Sequence, residues 1–160
     1  LTIEEWLPVG GVRLLRFAYL LTGDRQLAED LVQDVLTDAV RKWERIQLAD
    51  DVDAYLRKAL VHRYRSWFRV RTRRALLQSA QVQHDGQAGR VDVDTSLSIA
   101  VACTQLPRRQ RIAVVLRYYE DMSFAQIASA LECSEGTARS LVHRALRQLK
   151  PIVQQIVEDH

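Results

Sequence analysis

Two clusters of side chains in this sequence are of the types that hold a polyanion. The first is RKALVHRYRSWFRVRTRR, Arg57 to Arg74, with eight Lys or Arg residues, three aromatics and no acid. Guanidiniums grip phosphate oxygens in bidentate pairs, and aromatic faces stack on unpaired bases at about 1–3 kcal/mol per base. Two other readings compete. Tyr64, Trp67 and Phe68 can pack into a core, or the segment can lie on an acidic membrane, although its arginines occupy all sides rather than one polar face. The second cluster is EGTARSLVHR, Glu135 to Arg144. On a helix, Ala138, Leu141 and Val142 point inward and Glu135, Thr137, Arg139, Ser140, His143 and Arg144 outward. Arg reads guanine through two hydrogen bonds, and Ser or Thr reaches phosphate oxygens.

Catalysis has no comparable support. The four histidines (His62, His84, His143, His160) sit on separate segments, and no GxGxxG, P-loop, HExxH or nucleophile elbow occurs. No catalytic residue, metal or cofactor is expected. Cys103 and Cys133 stand alone, without a CxxC, and read as buried free thiols. The net charge of +3 hides a segregation. Cations crowd into 57–74, while Glu29, Asp30, Asp34 and Asp38 gather on another segment, which suggests two partners for two surfaces. Arg outnumbers Lys twenty to three, a bias that favours phosphate contacts but also follows from a GC-rich genome. No run reaches the roughly 18 apolar residues of a membrane span, and no signal peptide opens the chain. No membrane insertion and a cytoplasmic location are therefore expected. The first residue is Leu rather than Met, so the native start is expected upstream.

The elements that must position these clusters are helices. Gly and Pro are scarce, and no stretch alternates with period two. Residues 9–23 place Leu14, Phe17, Ala18 and Leu21 on one face and end on Gly23, a C-cap. Asp24 caps a long second helix whose stripe is Leu27, Leu31, Val35, Ala39 and Trp43, with Asp30, Gln33, Asp34, Thr37 and Arg41 opposite. A third helix starts near Val52, capped by Asp51, and contains the basic aromatic run. From Ser79 to Thr95 the pattern dissolves around two glycines, the mark of a linker. Beyond it come a short helix (96–105), a break at Leu106–Pro107 and a helix from Arg108 to Tyr119. Ser123 and Ser134 then cap two helices around a tight turn at 132–134, with Ile127, Ala128 and Leu131 facing Ala138, Leu141 and Val142. This is helix-turn-helix spacing, although an ordinary helical hairpin shares the pattern. Glu132 stands where Gly is commonest, so the turn lacks the residue best suited to positive φ. PIVQQIVEDH forms a short tail after Lys150. The expected fold is all-α: two small helical domains, 1–78 and 96–160, joined by a flexible linker, 79–95.

Taken together, these segments resemble a family. AEDLVQDVLTDAVRKW (28–43) resembles the polymerase-binding helix of bacterial sigma factors. VDAYLRKALVHRYRSWFRVRTRR (52–74) resembles the helix that reads and melts the promoter −10 element, and 106–150 is similar to the −35-binding domain. Order, spacing and lengths point to the small group 4, or extracytoplasmic-function (ECF), sigma factors, and the likeness covers all but the linker and the ends. It implies that Asp30, Gln33, Asp34 and Arg41 dock on the clamp coiled coil of the largest subunit of core RNA polymerase. It implies that Arg57, His62, Arg63, Arg65, Trp67 and Arg69 touch −10 DNA, with Arg71, Arg73 and Arg74 on phosphates, and that the segment Gln47–Asp53 captures an extruded base. On the same footing Ser134, Glu135, Thr137, Arg139, Ser140, His143 and Arg144 touch −35 DNA. It further implies that Asp85, Asp92 and Asp94 of the linker mimic nucleic acid near the RNA exit path. A cognate anti-sigma factor is a further implied partner beside polymerase and promoter DNA. The rival reading is a stand-alone helix-turn-helix regulator, which leaves DLVQD and the aromatic helix unexplained.

Overall fold

The computed structural model describes residues 1–78 and 101–158, and every regular element among them is helical. The chain divides into two compact units, Leu1–Gln87 and Ala88–His160. The segment read as a linker, 79–95, and the first half of the short helix read at 96–105 lie outside the described residues.

In the first unit, α2 (Val12–Thr22), α3 (Arg25–Ile46) and α4 (Val52–Gln78) pack against one another. Local chemistry sets their limits. Gly23 ends α2 with φ 65°, where a side chain would be strained. Asp24 then caps α3 by accepting from the Leu27 amide at 3.0 Å, and Asp51 caps α4 through the Ala54 amide at 3.0 Å. Each such cap contributes about 1 kcal/mol. The core is Leu14, Phe17, Ala18 and Leu21 of α2 with Leu56, Leu60, Val61 and Tyr64 of α4. From α3 come Leu31, Val35, Ala39 and Trp43, as the pattern requires, and also Ala28, Val32 and Ile46. Leu27, expected in that stripe, is only half-buried.

An N-terminal extension completes this unit, and the sequence pattern gives no sign of it. The helix α1 (Ile3–Trp6) opens on a capping box between Thr2 and Glu5, and a single π-helical turn, Leu7–Gly11, leads into α2. Trp6 is buried beside Trp43, with ring centres 6.0 Å apart. A Cβ on Gly10 would collide with the Trp6 indole, so the close approach requires glycine. The indole N–H donates to Asp53 Oδ1 at 2.7 Å, and Arg13 meets Asp53 Oδ2 at 2.7 Å. One carboxylate at the start of α4 thus ties down two N-terminal elements.

In the second unit, residues 101–104 are helical, followed by α5 (Arg108–Tyr118), α6 (Phe124–Leu131) and α7 (Glu135–Glu158). Leu106, Ile112, Leu116, Ile127, Leu131, Leu141, Val142 and Leu149 form its core. Ala128 and Ala138, both small and buried, leave room for α6 and α7 to cross. The turn between them is made without glycine. Glu132 takes φ 53°, ψ 48°, and the Cys133 amide donates to the Ala128 carbonyl at 3.0 Å. Two sequence expectations are corrected here. Cys103 is buried but Cys133 is only half-buried, and burial pushes the Cys103 thiol pKa up, with the Arg111 charge partly opposing. The residues after Lys150 do not form a separate tail, because α7 continues through Pro151 to Glu158.

Candidate nucleic-acid interface

The outward face of α3 follows from its inward one. With Leu31, Val35, Ala39 and Trp43 buried, Asp30, Gln33, Asp34 and Arg41 are all exposed on the other side. Asp30 accepts from Gln26 one turn earlier at 3.0 Å. Asp34 has no ion-pair partner among the described residues, so its charge is available to a cation elsewhere.

The basic aromatic helix α4 combines two of its sequence readings. Tyr64 is core, while Trp67 and Phe68 are half-buried and His62 and Arg69 exposed. Trp67 stacks on Tyr64 with ring centres 6.2 Å apart and planes 19° from parallel. The Arg71 guanidinium lies 5.2 Å from the Trp67 ring centre. Trp67 is thus held upright on a buried neighbour with part of its surface in solvent, the form of a stacking platform. Arg57, Arg63 and Arg65 are half-buried. Arg63 reaches across to α3 and pairs with Asp38 at 2.6 Å. That pair stands on the wall of a groove of about 370 Å³ between α3 and α4, lined also by Lys42, Tyr55, His62 and Ser66.

The loop before α4 has few side chains to spare. Of Gln47–Asp53, Asp51 serves as a cap and Asp53 is held by Trp6 and Arg13. Gln47, Leu48 and Asp50 are exposed, and Leu48 is 80% so. The sequence pattern alone does not distinguish among these seven residues.

On α7, all seven residues singled out (Ser134, Glu135, Thr137, Arg139, Ser140, His143 and Arg144) are exposed, and Ala138, Leu141 and Val142 are buried. Ser134 is occupied by capping. Its hydroxyl oxygen accepts from the Thr137 amide at 3.1 Å and its hydroxyl donates to Thr137 Oγ1 at 2.9 Å. The residue that sequence reasoning missed is Phe124. Its ring lies under two guanidiniums, with Arg117 at 4.3 Å and Arg139 at 4.9 Å from the centre. An aromatic directly after a helix-capping serine was the available signal.

Among the described residues, no group of three or more His, Cys, Asp or Glu side chains is placed to hold a metal ion. No helix among them is long and apolar enough to cross a membrane.

Comparison with known proteins gives a consistent result. Residues 11–74 match the sigma-70 region 2 family and residues 96–149 match sigma-70 region 4. The chain is 34% identical to the RNA polymerase sigma-E factor of Streptomyces coelicolor, across 94% of this chain and 85% of that protein. It is 32% identical to the ECF RNA polymerase sigma factor SigL of Mycobacterium tuberculosis, across 89% and 84%. Among solved structures, the sigma factor RpoE in complex with the anti-sigma factor NepR, from Bartonella quintana, is similar with a TM-score of 0.68. Identity there is 27%, over 94% of this chain and 96% of that one.

Proposed function

The chain belongs to the ECF sigma factors of bacterial RNA polymerase, and from that membership we propose how its faces divide the work of promoter-specific initiation. The outward face of α3, with Asp30, Gln33, Asp34 and Arg41, docks on the clamp coiled coil of the largest subunit of core polymerase. Arg57, His62, Arg63, Arg65, Trp67 and Arg69 of α4 hold the −10 strand, and Gln47, Leu48 and Asp50 receive the extruded base. The recognition helix α7 enters the −35 major groove with Glu135, Thr137, Arg139, Ser140, His143 and Arg144, and Ser134 caps it there. Residues 1–78, 79–95 and 96–160 act as region 2, linker and region 4.

The observation that carries this reading is the division of one small unit into an acid-rich exposed face on α3 and a cationic aromatic helix, α4. Opening a duplex and extruding a base costs a few kcal/mol. A unit this small recovers that cost more readily once polymerase holds it in place. The chain then acts by binding, with no chemistry performed by its own side chains, in the cytoplasm where polymerase works. A protein of the anti-sigma class, as seen bound to the Bartonella relative, is the fitting regulator and covers the same faces.

Binding to core polymerase tests the docking face directly. Asp34→Arg places a cation against the partner and is expected to weaken the complex on the order of tenfold or more. It should leave the helical circular dichroism of the chain unchanged. Unaltered affinity would remove α3 from the docking site.

A further inference from the structure

We infer that Phe124 is a positioning residue for −35 recognition, its ring holding the Arg139 guanidinium in place before DNA arrives. This rests on the reading that α7 enters the −35 groove. Arg139 is exposed on α7 and has no ion pair among the described residues; its guanidinium carbon lies 4.9 Å from the centre of the Phe124 ring. A long side chain with no anchor loses much rotamer freedom when it grips a base, and one held beforehand loses less. The quadrupole of an aromatic face supplies such an anchor without using the N–H donors that a base or phosphate needs.

The ring is itself well fixed. Phe124 is the first residue of α6, and its backbone follows the reciprocal capping box of Ser123 and Gln126. Arg117 lies over the same ring at 4.3 Å and donates to the Met122 carbonyl at 2.9 Å. Two cations on one ring repel each other. Arg117 is tethered to the Met122 carbonyl, which leaves Arg139 as the cation on this ring whose N–H donors can serve an acceptor on DNA. Bound DNA also relieves the repulsion, which favours the occupied state. Core packing does not account for the position, because the buried residues of α6 are Ile127, Ala128 and Leu131 while Phe124 stays half-exposed.

The test is selection of transcribed promoters from a duplex library randomised across the −35 element, with bacterial core polymerase and the full chain. Arg139→Ala identifies the base pairs at which Arg139 acts. Phe124→Leu keeps an apolar side chain but removes the quadrupole, and should reduce preference at those same base pairs by roughly two- to five-fold. Phe124→Tyr should retain it, and Phe124→Leu combined with Arg139→Ala should be no worse than Arg139→Ala alone. If Arg139→Ala changes no preference, the contact assigned to Arg139 is wrong. If Arg139→Ala acts and Phe124→Leu does not, the contact stands and the positioning role falls. An even loss across all −35 positions with a lowered melting temperature would make Phe124 a merely structural residue and overturn the inference.

Discussion

Asp53 provides the sharpest test of how the first unit is held together. Its carboxylate accepts from the Trp6 indole at 2.7 Å and meets Arg13 at 2.7 Å, and its side chain is only 19% exposed. Replacing it with Ala leaves the indole N–H of a buried residue without a partner. Loss of a buried hydrogen bond to a charged acceptor costs about 1.5–3 kcal/mol. The Arg13 side chain is 56% exposed, so that ion pair adds at most about 1 kcal/mol. Asp53→Asn keeps an oxygen for the indole and loses the ion pair and a favourable charge in the first turn of α4, together about 1 kcal/mol. Asp53→Ala should therefore cost about 2–3 kcal/mol and Asp53→Asn about 1. All three tryptophans, Trp6, Trp43 and Trp67, belong to the first unit, so indole fluorescence during urea unfolding follows that unit alone. With a slope of about 1–2 kcal/mol per molar urea for so small a unit, the Ala midpoint should fall by roughly 1–3 M. Equal losses for Ala and Asn, or an Ala loss below about 0.5 kcal/mol, would refute the account of Asp53 as the N-terminal tie.

Other predictions concern the second unit. Glu132→Gly should stabilise it by about 1 kcal/mol, read from thermal unfolding, because φ 53° is strained for any residue with a Cβ. Half-buried Cys133 should react with a thiol reagent well before buried Cys103. Burial raises the Cys103 pKa, so the folded chain keeps a proton that the unfolded chain gives up. The resulting stability is complete below the ordinary thiol pKa and is lost as pH rises from there through the raised pKa of the folded thiol. Cys103→Ala should flatten that alkaline decline in a urea titration followed by circular dichroism.

What was legible in the sequence was whatever short-range chemistry decides. Gly23, Asp24, Asp51, Ser123 and Ser134 stop or start helices by interactions within a few residues, and each behaves as its type and position require. The exposed faces of α3 and α7 were equally readable, because an amphipathic helix fixes its outside once its inside is known. The stripe on α3 slipped at one end for a geometric reason. A four-residue step overshoots a 3.6-residue turn by about 40°, so a strict every-fourth pattern drifts around the helix. Leu27 ends at its margin, and Ala28, Val32 and Ile46 complete the buried face. The tail read after Lys150 is instead the end of α7, because the proline at 151 costs the helix one hydrogen bond, which solvent can replace at an exposed position such as this one. Contacts between distant residues left no trace. Nothing periodic joins Trp6 to Asp53, Arg63 to Asp38 or Phe124 to Arg139. These contacts determine which side chains at the site are already engaged.

Run-off transcription with bacterial core polymerase on a library of promoter-like duplexes is the most direct measurement of the central claim. The account predicts new, sequence-selective start sites with the protein present. They should be abolished by Asp34→Arg, through loss of docking, and weakened by Trp67→Ala most severely on templates that are not already opened. Duplex binding without any effect on core polymerase, or start sites indifferent to both substitutions, would contradict it.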